Sequence, residues 1–212
     1  MYFNIDFFNK EQFPKYIYRQ FMYDLIVIIF GIILTYKTIS PFYTGFSIFF
    51  LMFWAYFMHY LVHLIPEKIN FHLAFHHNNE QNSTTKGRIV SFIVEVLTNI
   101  VMFVNLYIIQ KLANYDFIPP ILILYYGIIY VTVHNINYSM FHMGDNHSKH
   151  HICDTEKLMA NFGPDSIDHL LGTNYDEIYE HFYHIIPNVL FSFLILYFFY
   201  NYNGDILGNQ IK

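Results

Sequence analysis

Five stretches of this chain are apolar over nearly the length needed to cross a bilayer: roughly residues 21–38, 43–64, 89–110, 118–134 and 185–201. A helix needs about 20 apolar residues to traverse the hydrocarbon layer. Pro41 and Gly45 separate the first two runs and Pro119 and Pro120 open the fourth, so they read as separate helices. With 55% hydrophobic and 13% charged residues among 212, the chain has too little charge to cover a soluble globule of its size. The expected fold is therefore all-α, a polytopic membrane bundle of four or five transmembrane helices forming one domain over residues 1–212. Asp24, Glu95, Asn99 and Asn105 lie within the runs, and polar groups at that depth are expected to face the bundle interior. The last run, IIPNVLFSFLILYFFY, either crosses the membrane or lies in its interface. The N-terminal MYFNIDFFNKEQFPKYIYRQ mixes acids with bases and has no small-residue cleavage site, so it is not expected to be a removed signal peptide.

Orientation follows from the cations between the runs. Lys10, Lys15, Arg19, Lys68, Lys86, Arg88, Lys149 and Lys157 fall on one side, against Lys37, Lys111 and Lys212 on the other. The positive-inside rule then puts the N-terminus and the polar loops 65–88 and 135–184 in the cytoplasm. No block of Lys and Arg exists, so nucleic acid is not an expected partner. The lone Cys153 allows no internal disulfide.

Those two loops hold most of the histidines. Of thirteen, five fall in one window (His59, His63, His72, His76, His77) and five in another (His134, His142, His147, His150, His151). In YFMHYLVHLIPEK a four-residue interval stacks His59 and His63 on one helix face, as a shared metal requires. His72 and His76 repeat the interval, with His77 beside them. His147, His150 and His151 form HxxHH, presenting three imidazoles from little more than one helical turn. His134 and His142, eight apart, share roughly one face if the helix continues. His169, His181 and His184 are expected behind the ligands or in the interface. Eight to ten imidazoles exceed what one ion accepts, so two metals are expected, and imidazole alone does not choose among iron, zinc and copper. Asp145, Asp154, Asp165, Asp168 and Glu80 are candidate acceptors for the second imidazole nitrogens, or else solvated surface acids.

This pattern resembles the fatty acid hydroxylase and sterol desaturase superfamily of membrane enzymes. The likeness takes in a core of about residues 45–175: HxxxH at His59 and His63, the group at His72, His76 and His77, the segment from His134 to His142, and HxxHH at 147–151. It continues into NFGPDSIDHLLGT, residues 161–173, which is similar to the family's closing segment. The second group reads HxxxHH where the family commonly has HxxHH, and Ile167 stands where an aromatic is usual. The resemblance implies a cytoplasmic histidine-rich cap holding two irons, with zinc a possible occupant after purification. It also implies dioxygen as oxidant, a fatty acyl, sphingolipid or sterol substrate to be hydroxylated or desaturated, and a membrane like the endoplasmic reticulum. Since no haem or flavin segment is visible, electrons are expected from an external carrier such as cytochrome b5 and its reductase. The competing readings are a metal-transporting or metal-storing membrane protein and a catalytically inactive family member.

Overall fold

The computed structural model describes residues 21–77, 83–144, 147, 150, 160–174 and 182–202. Helix α1 spans Met22–Thr35, α2 Pro41–Leu64 and α3 Thr85–Leu112. Helix α4, Pro120–Thr132, runs on into a wider π-helical segment at Val133–Met140; α5 is Asp165–Leu171 and α6 is Ile186–Tyr202. Short 3-10 turns lie at Glu67–Ile69 and Phe182–Ile185, and a π-turn at His72–His76. All regular structure among the described residues is helical, as the runs lead one to expect.

Three helices are long and apolar enough to cross a membrane: Pro41–Leu64, Thr85–Leu112 and the continuous Pro120–Met140. The first run is shorter as a helix than its apolar length promised. It stops at Thr35, whose carbonyl accepts from both Thr38 and Ile39 N–H. Ser40, in extended conformation, then starts α2 by accepting from Tyr43 N–H with its hydroxyl, ahead of Pro41. At about 1.5 Å per residue, the 14 residues of α1 span about 21 Å, against about 30 Å of hydrocarbon.

The helices are sorted in the manner of a lipid-embedded bundle. On α3 the inward stripe is Gly87, Ser91, Glu95, Asn99, Met102, Phe103, Leu106 and Gln110, at intervals of one, three and four. Its outward face is Ile89, Ile93, Leu97, Val101, Val104 and Ile108, each exposed. Polar groups point in and apolar ones out, the reverse of a soluble helix. Small residues let the helices approach: a Cβ on Gly31 of α1 would stand 2.3 Å from Ile48 Cδ1 on α2.

Helix α4 lies at the centre, packed against α1, α2, α3 and α6. Tyr125 donates to Val27 O of α1 at 3.0 Å, Ser192 of α6 to Tyr125 O at 2.8 Å, and Trp54 of α2 to Met102 O of α3 at 2.8 Å. Gln110 closes the connection from α3 to α4, its amide receiving Ile118 N–H at 2.6 Å and donating to Ile118 O at 2.9 Å. This framework fixes the ends of α2 and α4 at one end of the bundle, where the histidines gather.

Candidate metal centre

The inward stripe of α2 ends in His59 and His63, whose rings stand 5.0 Å apart. The helix stops there because Ile65 turns extended ahead of Pro66. Asn70, 4% exposed, folds the chain back: its amide donates to Val62 O (2.6 Å) and Ile65 O (3.2 Å) while its oxygen accepts from Leu73 N–H (3.2 Å). The returning π-turn brings the His72 ring 5.2 Å from His59 and 5.1 Å from His63, with His76 4.9 Å from His72.

The second side is built on α3 and the extension of α4. Glu95, 1% exposed, lies between two histidines from different elements. One carboxylate oxygen bonds His134 Nδ1, and the other lies 3.1 Å from His76 Nδ1. The Ser139 hydroxyl lies within donating distance of the same group, 2.7 Å from Oε2. The His147 ring is 4.3 Å from His134 and 6.0 Å from both His76 and His150.

The segment 160–173 carries the remaining support. His59 Nδ1 donates to Phe162 O at 2.7 Å and His150 Nδ1 to Ala160 O at 2.6 Å. A carbonyl only accepts, so the proton sits on Nδ1 and the lone pair on Nε2. Asp168 shapes this segment: it accepts from Phe162 N–H (3.1 Å), Gly163 N–H (2.6 Å) and the Thr173 hydroxyl (2.7 Å). Gly172, at φ 69°, supplies the left-handed cap that ends α5 and lets Thr173 O return to Asn161 N–H at 2.8 Å.

Two groups of four result. Ligand atoms of His59, His63, His72 and His150 lie within 4.8 Å of one another, as do those of His76, Glu95, His134 and His147. The groups adjoin through the His72–His76 pair, and His77 forms a third set with these two. Nε2 of His59, His63 and His134 and both nitrogens of His72 are buried without a hydrogen-bond partner. Buried polar atoms are seldom left so. Burial, and then the neighbouring His76, hold the His72 imidazole well below its ordinary pKa, keeping it neutral as a ligand must be. Buried, converging imidazoles with nitrogens left over fit bound metal.

Of the residues singled out from sequence, His59, His63, His72, His76, His77, His134, His147 and His150 come together here. His142 does not: it is exposed, at φ 52°, and belongs to none of the groups found among the described residues. His151 and His181 lie outside the described residues, as do Glu80, Asp145, Cys153 and Asp154. His169 Nδ1 donates to Asp165 O at 2.8 Å, and the His184 ring lies 5.8 Å from Tyr138. Asp168 braces the loop rather than an imidazole. Glu95 was read from sequence only as an inward polar residue; its one visible signal was a carboxylate in an apolar run.

The family model for fatty acid hydroxylases matches residues 44–173, which takes in both histidine groups, Glu95 and the Asp168 segment. Neither the curated proteins nor the solved structures contain a match to the chain. The match covers well over half of the 212 residues and ends at Thr173, the last residue of the closing segment 161–173, so the chain belongs to the fatty acid hydroxylase family.

Proposed function

We propose that this protein is a dioxygen-dependent lipid hydroxylase or desaturase that acts through two histidine-bound iron ions. The observation that carries the reading is the pair of adjoining four-residue groups, buried at one end of an apolar bundle, with imidazole nitrogens left over for metal. His59, His63, His72 and His150 would hold one ion, and His76, His134 and His147 the other, with His77 alongside. Bound ferrous iron would supply the activation of dioxygen needed to attack an unactivated C–H bond. The chain's own residues bury the pair, fix the imidazole tautomers through Phe162 O, Ala160 O and Glu95, and keep water from the reacting carbon. The substrate would be the hydrocarbon part of a fatty acyl, sphingolipid or sterol, reached from the bilayer. An external carrier such as cytochrome b5 with its reductase would deliver electrons. The excess of Lys and Arg on the histidine side supports a cytoplasmic centre, in a membrane of endoplasmic reticulum type.

The test is metal content per chain together with lipid profiles of cells with and without the gene, grown in iron. About two irons and a new hydroxylated or desaturated lipid are expected. Bound metal with unchanged lipids would favour a metal-handling protein instead. The position of His59 and His63 in the last turns of α2, away from the bundle's middle, argues against an ion path through the membrane.

A further inference from the structure

The two ligand groups are backed by different chemistry. Behind His59 and His150 stand backbone carbonyls, Phe162 O and Ala160 O, which fix the proton on Nδ1 but carry no net charge. Behind His76 and His134 stands one carboxylate, Glu95, shared by both Nδ1 atoms and further bonded by Ser139. A carboxylate backing an imidazole orients the ring, raises its basicity and brings a full negative charge toward the cation. At 1% exposure that charge is scarcely screened by solvent. Both carboxylate oxygens are occupied by imidazole and hydroxyl donors, so Glu95 is placed to position ligands rather than to serve as one.

Building on the di-metal reading, we propose that Glu95 makes the two metal positions inequivalent. The position of His76, His134 and His147 binds first and holds tightly, and that of His59, His63, His72 and His150 is the exchangeable one. Loading is ordered by the chain as well as by charge. His76 and His72 lie in the same five-residue π-turn, so an ion on the Glu95 side fixes the turn that presents His72 to the other side.

The test uses the full chain, purified in detergent, loaded anaerobically with ferrous iron and dialysed against EDTA while metal per chain is followed. The parent is expected to release two ions in two separate phases. His63→Ala should retain only the slow phase, whereas His134→Ala should lose the slow phase and hold the remaining ion more weakly than the parent's fast phase, because the turn that presents His72 is no longer fixed. In Glu95→Gln the slow phase should quicken by about 10–100-fold, the usual cost of removing a group that orients a ligand, with the fast phase unchanged. Glu95→Asp, which keeps the charge, should recover part of the difference. A single phase for two ions in the parent would overturn the inequivalence and leave the di-metal reading standing. Equal acceleration of both phases in Glu95→Gln would reduce Glu95 to general support of the fold. A position that stays empty in Glu95→Gln at any iron concentration would make Glu95 a ligand and overturn its positioning role. A parent that binds no metal would overturn both the reading and the inference.

Discussion

Phe162 O accepts the Nδ1 proton of His59 at 2.7 Å across 103 residues of sequence, tying the closing segment to the last turns of α2. The Phe162 side chain, 1% exposed, packs edge-on against His59 and His63 at 5.6 and 5.4 Å between rings. The segment is thus both the acceptor that sets a tautomer and the apolar wall of the site.

Asp168 holds that segment in shape, which leads to the first prediction. Asp168→Ala strands the buried N–H of Phe162, at a cost of about 1–3 kcal/mol, and removes the acceptor of the part-buried Gly163 N–H. Thermal unfolding should shift downward, and bound metal should fall in the same protein because His59 and His150 lose their anchored acceptors. Unchanged metal content in a destabilised Asp168→Ala protein would break the proposed link between loop and site.

Ligand substitutions should divide the histidines. His63→Ala and His150→Ala should each lower metal per chain and abolish lipid oxidation while the protein still inserts in the membrane. His142→Ala should match the parent in both assays, because His142 is exposed and outside the groups. Loss of metal in His142→Ala would show that the turn at 141–144 reaches the centre when metal is bound.

The contrast with His142 shows where the sequence was readable and where it was not. Spacings of four within one helix survive folding, so His59 with His63 could be paired from sequence. The eight-residue interval from His134 to His142 assumed an α-helix, but residues 133–140 form a π-helix, whose i→i+5 pattern changes the phase. The positive φ at His142 then turns the chain outward. The imidazole acceptors were illegible for another reason. Acids near the histidines in sequence were the natural candidates; Glu80, Asp145 and Asp154 lie outside the described residues, and among the described ones the acceptors include two main-chain carbonyls and a carboxylate from α3. Every residue carries a carbonyl, and nothing in a helical period says which partner an inward Glu will meet.

Burial of His72 gives a pH dependence with a definite sign. Its imidazole is held neutral well below the ordinary value of 6.5, chiefly by loss of water. The unfolded chain therefore binds more protons than the folded one below that value, and stability must fall with falling pH there. Metal-free protein should lose thermal stability between about pH 7 and about pH 5, while metal-loaded protein should hold its stability further into acid. Thermal scans of both forms across that range check the prediction. A flat response of the metal-free form would mean that water reaches His72.

Gln110 offers a perturbation of the bundle remote from the metal centre. Its side chain satisfies both the N–H and the carbonyl of Ile118, at 2.6 and 2.9 Å, where the chain enters α4. Gln110 is fully buried, so Gln110→Leu keeps the volume but leaves two main-chain groups without partners among apolar neighbours. The cost should be about 1–3 kcal/mol per group, read as a lower unfolding temperature in detergent. Because α4 also carries the extension that presents His134, metal content separates two possibilities. Retained metal at the lower unfolding temperature means that the packing of α4 against α1, α2 and α6 is enough to hold its far end. Loss of metal would mean that the connection at residues 110–118 sets the depth of α4, and through it the distance from His134 to Glu95.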